Sequence, residues 1–207
     1  MTRKINHHSD RGYSRKSRIR NVKKSFLIIT EGINTEPEYF NAFRLTSATV
    51  RALGQGMSTV SLVRKAMKIR DGYKSRGKSF DQYWVVFDKD DNSDKDFNDA
   101  ITLAQKNGFR VAYSNQAFEY WLLLHFGKYQ GHYDRKKLNE MLGNLIGSAY
   151  TKRSGVATGL YNLLLKDQPV AIANAKSVYK SISKGNPAKE ESSTLVFELV
   201  EELNKYL

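Results

Sequence analysis

Apolar runs and amphipathic stretches alternate along the first 130 residues of the chain. Three short runs rich in β-branched and aromatic residues, at 25–30, 82–87 and 109–114, predict buried strands, and residues 47–53 predict a weaker one. Helical patterns separate these runs. Strands that alternate with helices are typical of a largely parallel sheet with both faces covered. The pattern therefore predicts an α/β fold, with a mainly parallel sheet flanked by helices.

Polar residues with capping chemistry mark where two of the helices begin. Thr35 can cap the first helix, and Glu38 three residues later completes a capping box. Ser93 opens a later helix with Asp96 three residues on, and Gly108 ends it. These signals place one helix shortly after the first strand and another shortly after the third.

The second part of the chain has a different pattern. Residues 117–126 predict a markedly apolar helix, and helical spacing then recurs around 135–146, 158–183 and 191–206. The chain is therefore expected to divide into a basic flexible arm at 1–24, an α/β core at 25–130, and a helical C-terminal part at 131–207 packed on that core.

The composition excludes several classes of protein. With 207 residues, 40% of them hydrophobic, the chain is long and apolar enough to build one ordinary core. Cysteine is absent, which excludes a disulfide scaffold, a zinc ribbon, an iron–sulfur cluster and a cysteine nucleophile. The sequence contains no run of about 18 apolar residues, so it predicts no membrane span. No signal peptide is recognisable. We expect a cytoplasmic protein.

Positive charge is concentrated at the start of the chain. Residues 1–24 carry a net +8 of the formal +13. Such an arm can neutralise nucleic-acid phosphates, or it can be a solvated tail that aids solubility. The candidate nucleic-acid-binding residues in it are Arg15, Lys16, Arg18, Arg20, Lys23 and Lys24.

A second basic stretch follows Ser58, a candidate helix cap. Arg64, Lys65 and Lys68 alternate there with apolar residues at helical spacing, which predicts an amphipathic helix with a cationic outer face. That face is either a second nucleic-acid contact or an ordinary solvated helix surface.

Three carboxylates follow predicted strands. Glu31 comes directly after the first strand, and Asp88 and Asp90 come directly after the strand at 82–87. The carboxyl ends of parallel strands share one sheet edge, where ligands bind. In an extended segment, Asp88 and Asp90 would point the same way. Carboxylates gathered without compensation repel each other unless a cation sits among them, and oxygen ligands suit Mg²⁺ or Mn²⁺.

Three other residues have open interpretations. Glu119 lies in a very apolar helix, where a carboxylate needs an ion pair, a metal or an exposed face. His125 is either a core histidine or a proton shuttle. Lys89 is either a phosphate contact or a solvated spacer.

Several short motifs, in this order and spacing, resemble the RloB family. They are Glu31-Gly32, Thr35-Glu36, Asp88-Lys89-Asp90, Ser114-Asn115 and the segment from Phe118-Glu119 to His125-Phe126. The resemblance covers roughly residues 24–206. That family is found beside restriction and phage-defence loci and is similar to Toprim proteins.

The resemblance implies a Toprim-like Rossmannoid core with a Mg²⁺ site. By that resemblance Glu31 would be a metal ligand or general acid/base, and Asp88 and Asp90 would be metal ligands. Glu36 and Glu119 match the RloB-like pattern, which implies supporting roles, with Glu119 among the catalytic candidates.

Together these features and the resemblance to the RloB family predict a metal-dependent nuclease that acts on DNA or RNA in anti-phage defence, with a protein partner from a defence or restriction locus. No Gly-x-x-x-x-Gly-Lys-Ser/Thr loop is present, so no ATPase of that type is built in. Two alternatives stay open. One is a non-catalytic subunit that binds nucleic acid or a partner, and the other is a metal-dependent enzyme on small phosphorylated molecules. The choice of DNA or RNA and the oligomeric state stay open as well.

Overall fold

The computed structural model describes residues 23–182 and 185–207. Its strands are β1 (Lys24–Thr30), β2 (Ala48–Gly54), β3 (Gln82–Asp88), β4 (Arg110–Asn115) and β5 (Ser193–Thr194). Its helices are α1 (Thr35–Asn41), α2 (Thr59–Lys74), α3 (Asp94–Lys106), α4 (Glu119–Leu123), α5 (Arg135–Ile146), α6 (Val156–Leu164), α7 (Gln168–Ser181) and α8 (Val196–Asn204). Short 3₁₀ turns lie at Leu165–Asp167 and Pro187–Lys189. Within these ranges, no helix has both the length and the apolar character needed to cross a bilayer.

The strands form one sheet in the order β2-β1-β3-β4-β5. The first four strands are parallel, and β5 pairs antiparallel with the end of β4. The prediction of an α/β fold with a mainly parallel sheet is therefore confirmed. Because β1 and β3 are neighbours, the loops that follow them emerge side by side at the same edge of the sheet.

Alternation along the central strands sends side chains into two separate layers. On one face, Phe26 and Trp84 pack with the layer that contains α1, α4 and the C-terminal helices. On the other face, Leu27 and Val85 pack with α2 and α3. All four side chains are completely buried, and each such burial contributes about 1.5–3 kcal/mol. This double coverage explains why the strands read as continuous apolar runs.

The C-terminal part differs from its prediction in two places. The helix predicted at 158–183 is interrupted by a 3₁₀ turn after Leu164, and α7 then begins with Pro169 in its first turn, where a missing N–H costs nothing. The segment predicted as helix from 191 first adds β5 to the sheet. A strand of two residues is too short to produce a periodic pattern. The helix predicted at 117–126 is regular only within α4.

The two capping predictions have opposite outcomes. Ser93 is the N-cap of α3, and its Oγ accepts the N–H of Asp96 at 3.0 Å, as predicted. The capping box at Thr35 was wrong, because α1 begins at Thr35 and Asn34 precedes it as N-cap. The Glu38 carboxylate instead accepts bonds from the Ser154 hydroxyl and the Gly155 N–H, both at 2.8 Å, so a distant loop competes for it.

Candidate carboxylate site

The carboxyl ends of β1 and β3 bring the predicted acidic residues to one cavity. The register pairs Thr30 with Val86, and the Glu31 N–H extends the ladder by donating to the Val86 carbonyl at 2.9 Å. A cavity of about 320 Å³ opens just beyond this point. Its charged lining residues are Glu31, Glu36, Asp88, Asp90, Arg135 and Lys152. The structure thus brings together four carboxylates, three of which come from the two adjacent βα turns.

The turn after β1 is shaped around the Glu36 carboxylate. The Gly32 N–H donates to Glu36 Oε1 at 3.2 Å, and the Thr30 hydroxyl donates to the Gly32 carbonyl at 2.9 Å. A Cβ at position 32 would overlap the Glu36 carboxylate. A Cβ on Gly54 would lie 2.5 Å from the Gly32 carbonyl oxygen. A side chain at position 32 would therefore force the Glu36 carboxylate out of its present place.

Asp88 is held by backbone groups from two directions. Its Oδ2 accepts the Phe118 N–H at 3.1 Å, and its own N–H donates to Glu31 Oε2 at 3.3 Å. These contacts link the turn after β3 to the turn after β1 and to the start of α4. The Asp88 side chain consequently has little freedom to turn away from its neighbours.

Asp90 reaches the cavity by a different route from the one predicted. Its backbone is left-handed, with φ 38°, so the segment from Asp88 is not extended and the period-two argument does not apply there. Aspartate tolerates this conformation better than most residues. The Asp90 N–H donates to the Gln116 carbonyl at 3.0 Å, and its carboxylate forms an ion pair with Arg135 at the start of α5.

Glu119 lies behind the cavity and is completely buried. Its Oε1 accepts a bond from the Tyr150 hydroxyl at 2.9 Å and an ion pair from Lys152 Nζ at 2.9 Å. Its Oε2 has no hydrogen-bond partner within the part of the chain that the structure describes. Lys152 lines the cavity, whereas Glu119 does not. Of the alternatives for Glu119, the structure shows the ion pair.

The electrostatics of the cavity are dominated by burial and like charge. Burial raises the pKa of Glu31 to about 7. Burial and then the charges of Glu36, Glu119 and Glu31 raise the pKa of Asp88 well above its usual range. Burial alone would lower the pKa of Lys152, but Glu119, Asp88 and Glu36 outweigh it and raise that pKa. The carboxylates therefore disfavour each other's charged forms, and Lys152, which pairs with Glu119, opposes the rise in the pKa values of Glu31, Glu36 and Asp88 at longer range.

The donor set has the chemistry that Mg²⁺ or Mn²⁺ prefers, because every candidate ligand is a carboxylate oxygen. The unpartnered Oε2 of Glu119 is a further buried acceptor that lacks a donor. Across residues 23–182 and 185–207, however, no three His, Asp or Glu side chains are arranged as a ready-made metal site. Here Arg135, Lys152 and the Phe118 N–H hold the carboxylates. The ligand chemistry of these residues therefore fits a hard divalent cation. In the present arrangement the carboxylates are held by Arg135 and Lys152.

Two predicted supporting residues lie away from the cavity. Lys89 is buried, and its Nζ donates to the Asn92 carbonyl at 2.6 Å and pairs with Asp94 at 3.3 Å. His125 packs edge-on against Trp121, and its Nδ1 lies 3.1 Å from the Trp121 carbonyl oxygen. Burial lowers the pKa of His125 to about 4, so its ring is neutral at neutral pH. Both residues consolidate the fold around the site.

The predicted nucleic-acid-binding residues are spread over both edges of the sheet. On α2, Arg64 and Lys68 are exposed and Lys65 is half-buried. Because α2 follows β2, its first turns lie toward the edge with the carboxylates. Lys23 and Lys24 lie at the opposite end of β1, about 20 Å from that edge at 3.3 Å per residue. The remaining candidates lie outside the described residues: Arg15, Lys16, Arg18 and Arg20.

Sequence reasoning missed three side chains of the site. Arg135, Tyr150 and Lys152 reach it from the C-terminal part, and they pair with residues 31 to 45 positions away in sequence. No local pattern marks such contacts. The one usable signal was the need of Glu119 for a counterion in an apolar helix, which pointed to a cation without saying which.

The chain matches the family described as RloB-like protein over residues 26–203. No curated protein and no solved structure matches it. The matched range includes both βα turns, the start of α5 and the loop with Lys152. The chain therefore belongs to the RloB-like family.

Proposed function

We propose that this protein is a metal-dependent nuclease of the Toprim type that hydrolyses phosphodiester bonds. One observation carries the proposal: partly buried carboxyl groups from two neighbouring parallel strands, whose pKa values burial and like charge raise, line one cavity together with two cations. Strongly perturbed acids in a cleft at the carboxyl edge of a parallel sheet are typical of a functional site.

Glu31, Asp88 and Asp90 are the residues proposed to hold Mg²⁺ or Mn²⁺. A bound ion of this kind polarises a phosphate and lowers the pKa of a water molecule. If Glu31 is not itself a ligand, it is the candidate general acid or base, because burial raises its pKa to about 7 in the metal-free protein. Glu36 is proposed to support the site by holding the turn at Gly32, next to Glu31. Glu119 is proposed to support it by holding Lys152.

The substrate proposed for this site is nucleic acid, either DNA or RNA. The chain is strongly basic, with a formal net charge of +13, although the cavity itself is acidic. Exposed cations on α2, whose N-terminus lies toward the cavity edge, would contact the phosphate backbone without reading its sequence. The basic arm at 1–24 would add affinity that depends on salt. We place this activity in the cytoplasm, in anti-phage defence, with a protein partner from a defence or restriction locus.

A second candidate is a non-catalytic subunit that binds nucleic acid. It is favoured by the pairing of Asp90 with Arg135 and of Glu119 with Lys152, which holds two carboxylates without a metal ion. This role predicts binding that tolerates EDTA and the loss of Asp88.

The decisive experiment is a cleavage assay on labelled single- and double-stranded DNA and RNA, with Mg²⁺ or Mn²⁺. The wild type is compared with Asp88→Asn and with Glu198→Gln, a matched carboxylate-to-amide change on α8. Cleavage that needs the metal, is lost in Asp88→Asn and persists in Glu198→Gln would support the nuclease. Equal cleavage by all three proteins would exclude this site. Binding in EDTA without cleavage by any of them would favour the second candidate.

A further inference from the structure

Lys152 stands between a buried carboxylate and an open cavity. Its Nζ lies 2.9 Å from Oε1 of the fully buried Glu119, yet 48% of its side chain is exposed. It lines the same cavity as Glu31 and Asp88. The ammonium is thus held by Glu119, while nearly half of the side chain that carries it is open to the solvent.

The loop that carries Lys152, residues 147–155, is fastened to the site at several points. The Tyr150 hydroxyl donates to the same Glu119 oxygen at 2.9 Å. The Lys152 carbonyl accepts a bond from Asn34 Nδ2 at 3.3 Å, and Glu38 holds the end of the loop through Gly155. A long side chain that is held at its base and at its tip loses little further freedom when it binds a ligand.

The two cations of the cavity pair with different acids. Arg135 pairs with Asp90 at the cavity rim. An ammonium has three N–H donors, and within the described residues Glu119 is the one carboxylate in ion-pair range of Lys152. Lys152 therefore keeps N–H donors for a ligand in a cavity whose other charged lining residues are four acids and Arg135.

Resting on the nuclease function proposed above, we propose that Lys152 binds a non-bridging oxygen of the substrate phosphate, with Glu119 and Tyr150 as its positioning residues. A fixed cation beside a phosphate that gains charge during the reaction stabilises that charge without reorganising. It also explains why Glu119 is buried: the carboxylate fixes the lysine instead of facing the solvent.

The test measures phosphate binding apart from turnover. Thymidine 3′,5′-bisphosphate has no internucleotide bond to cleave, so it is titrated calorimetrically in Mg²⁺ against wild type, Lys152→Met, Lys152→Arg and the exposed control Lys106→Met. We expect Lys152→Met to weaken binding about tenfold or more, the size of one hydrogen bond to a charged group. Lys152→Arg should stay close to wild type, and Lys106→Met should equal it.

Three further measurements separate this role from folding and from metal binding. Circular dichroism checks the fold, and Lys152→Gln serves if the methionine variant does not fold. Mn²⁺ titration without phosphate should show affinity in Lys152→Met at least equal to that of wild type, because a competing cation is gone. Glu119→Gln should weaken bisphosphate binding in the wild-type background and have no effect in Lys152→Met.

The outcomes distinguish this inference from the nuclease proposal. Bisphosphate affinity unchanged in Lys152→Met, or no binding by wild type, overturns the inference even if oligonucleotides are cleaved. Binding that depends on Lys152 without cleavage of any oligonucleotide supports a phosphate site and overturns the nuclease.

Discussion

Both edges of the sheet carry clusters of charged residues, but the balance of acids and cations differs between them. At the amino ends of the strands, a groove of about 770 Å³ lies between β4, α7 and α8. Its charged residues are Arg110, Lys176, Glu198, Glu201, Glu202 and Lys205. Each acid there has a cation within 4 Å, so three negative charges meet three positive ones. Most of these side chains reach solvent, and the charges neutralise one another.

At the carboxyl ends the balance is lost. The smaller cavity there, together with Glu119 behind it, gathers five carboxylates around Arg135 and Lys152. The pKa values follow: burial raises that of Glu31, whereas at the other edge Lys205 and Gln82 outweigh burial and lower that of Glu202. Burying acidic groups beside one another costs folding free energy, and strongly perturbed pKa values cluster at functional sites. The larger groove is thus the weaker candidate for chemistry.

The largest expected difference between the two edges is in the rate of cleavage. Asp88→Asn should lower the rate on the order of 10²–10³-fold, the cost of removing one preorganised electrostatic contact. The same change at the amino edge, Glu198→Gln, should leave the rate within about twofold, because that carboxylate is an exposed partner of Arg110 at 3.9 Å. Initial rates at saturating Mg²⁺ provide the measurement. Equal losses in both variants would show that the two edges do not differ as argued.

The sequence predicted the acidic half of this site because that half is local. Glu31 and Asp88 directly follow apolar strands, and parallel topology alone places such positions at one edge. The period-two reasoning for Asp90 failed in detail, since its backbone is left-handed, although the residue still lines the cavity.

The basic half could not be predicted, because it depends on how the C-terminal part packs. Arg135 starts a helix whose bounds the sequence predicted, yet its contact with Asp90 is tertiary. Lys152 lies in a loop without periodicity, 33 residues from its partner Glu119. The capping prediction for Glu38 failed for the same reason, because its carboxylate binds Ser154 and Gly155 of the distant loop instead of a local N–H.

A second prediction concerns the metal ion and stability. Mg²⁺ or Mn²⁺ at about a hundred times its dissociation constant should raise the free energy of unfolding by about 2.7 kcal/mol, since it binds only the folded cavity. Asp88→Asn should abolish most of this gain. In EDTA the same variant should melt at a higher temperature than wild type, because it removes a carboxylate whose charged form is disfavoured by burial and by its neighbours. Thermal denaturation with and without metal tests both statements.

A third prediction uses pH in the absence of metal. Between the ordinary Glu31 pKa of 4.5 and its raised value of about 7, the folded protein binds more protons than the unfolded chain, so rising pH removes stability. His125 acts in the opposite direction, because its pKa falls from 6.5 to about 4 on folding.

The comparison with Glu31→Gln cancels the histidine, which both proteins keep. Relative to wild type, the variant should gain about 2 kcal/mol between roughly pH 5 and pH 8, a figure reduced for the exposed part of the side chain. Urea denaturation in EDTA at the two pH values measures this difference. Parallel pH dependence of the two proteins would remove Glu31 from the set of strained carboxylates.

A fourth prediction isolates the Tyr150 contact. Tyr150→Phe removes one donor from the buried Glu119 oxygen and should lower the free energy of unfolding by about 1–2 kcal/mol. Tyr133→Phe is the matched control, because the Tyr133 hydroxyl donates to the Gln130 carbonyl at an exposed position. Its loss should cost under about 0.5 kcal/mol in the same urea titration. If Tyr133→Phe lowers the free energy of unfolding by as much as Tyr150→Phe, the burial of the contact with Glu119 does not strengthen it.

The smallest effect is expected at the amino edge. Glu201→Gln breaks the ion pair that Glu201 forms with Lys176 Nζ at 2.6 Å. Half of the Lys176 side chain and 37% of the Glu201 side chain are exposed. Ion pairs of this type contribute about 0–1 kcal/mol, because solvent screens them and their ordering costs entropy. Unfolding should therefore change by less than about 0.5 kcal/mol, and by still less in high salt. A loss above about 1 kcal/mol that salt does not reduce would mean that this edge also stores buried electrostatic energy, and the contrast between the two edges would fail.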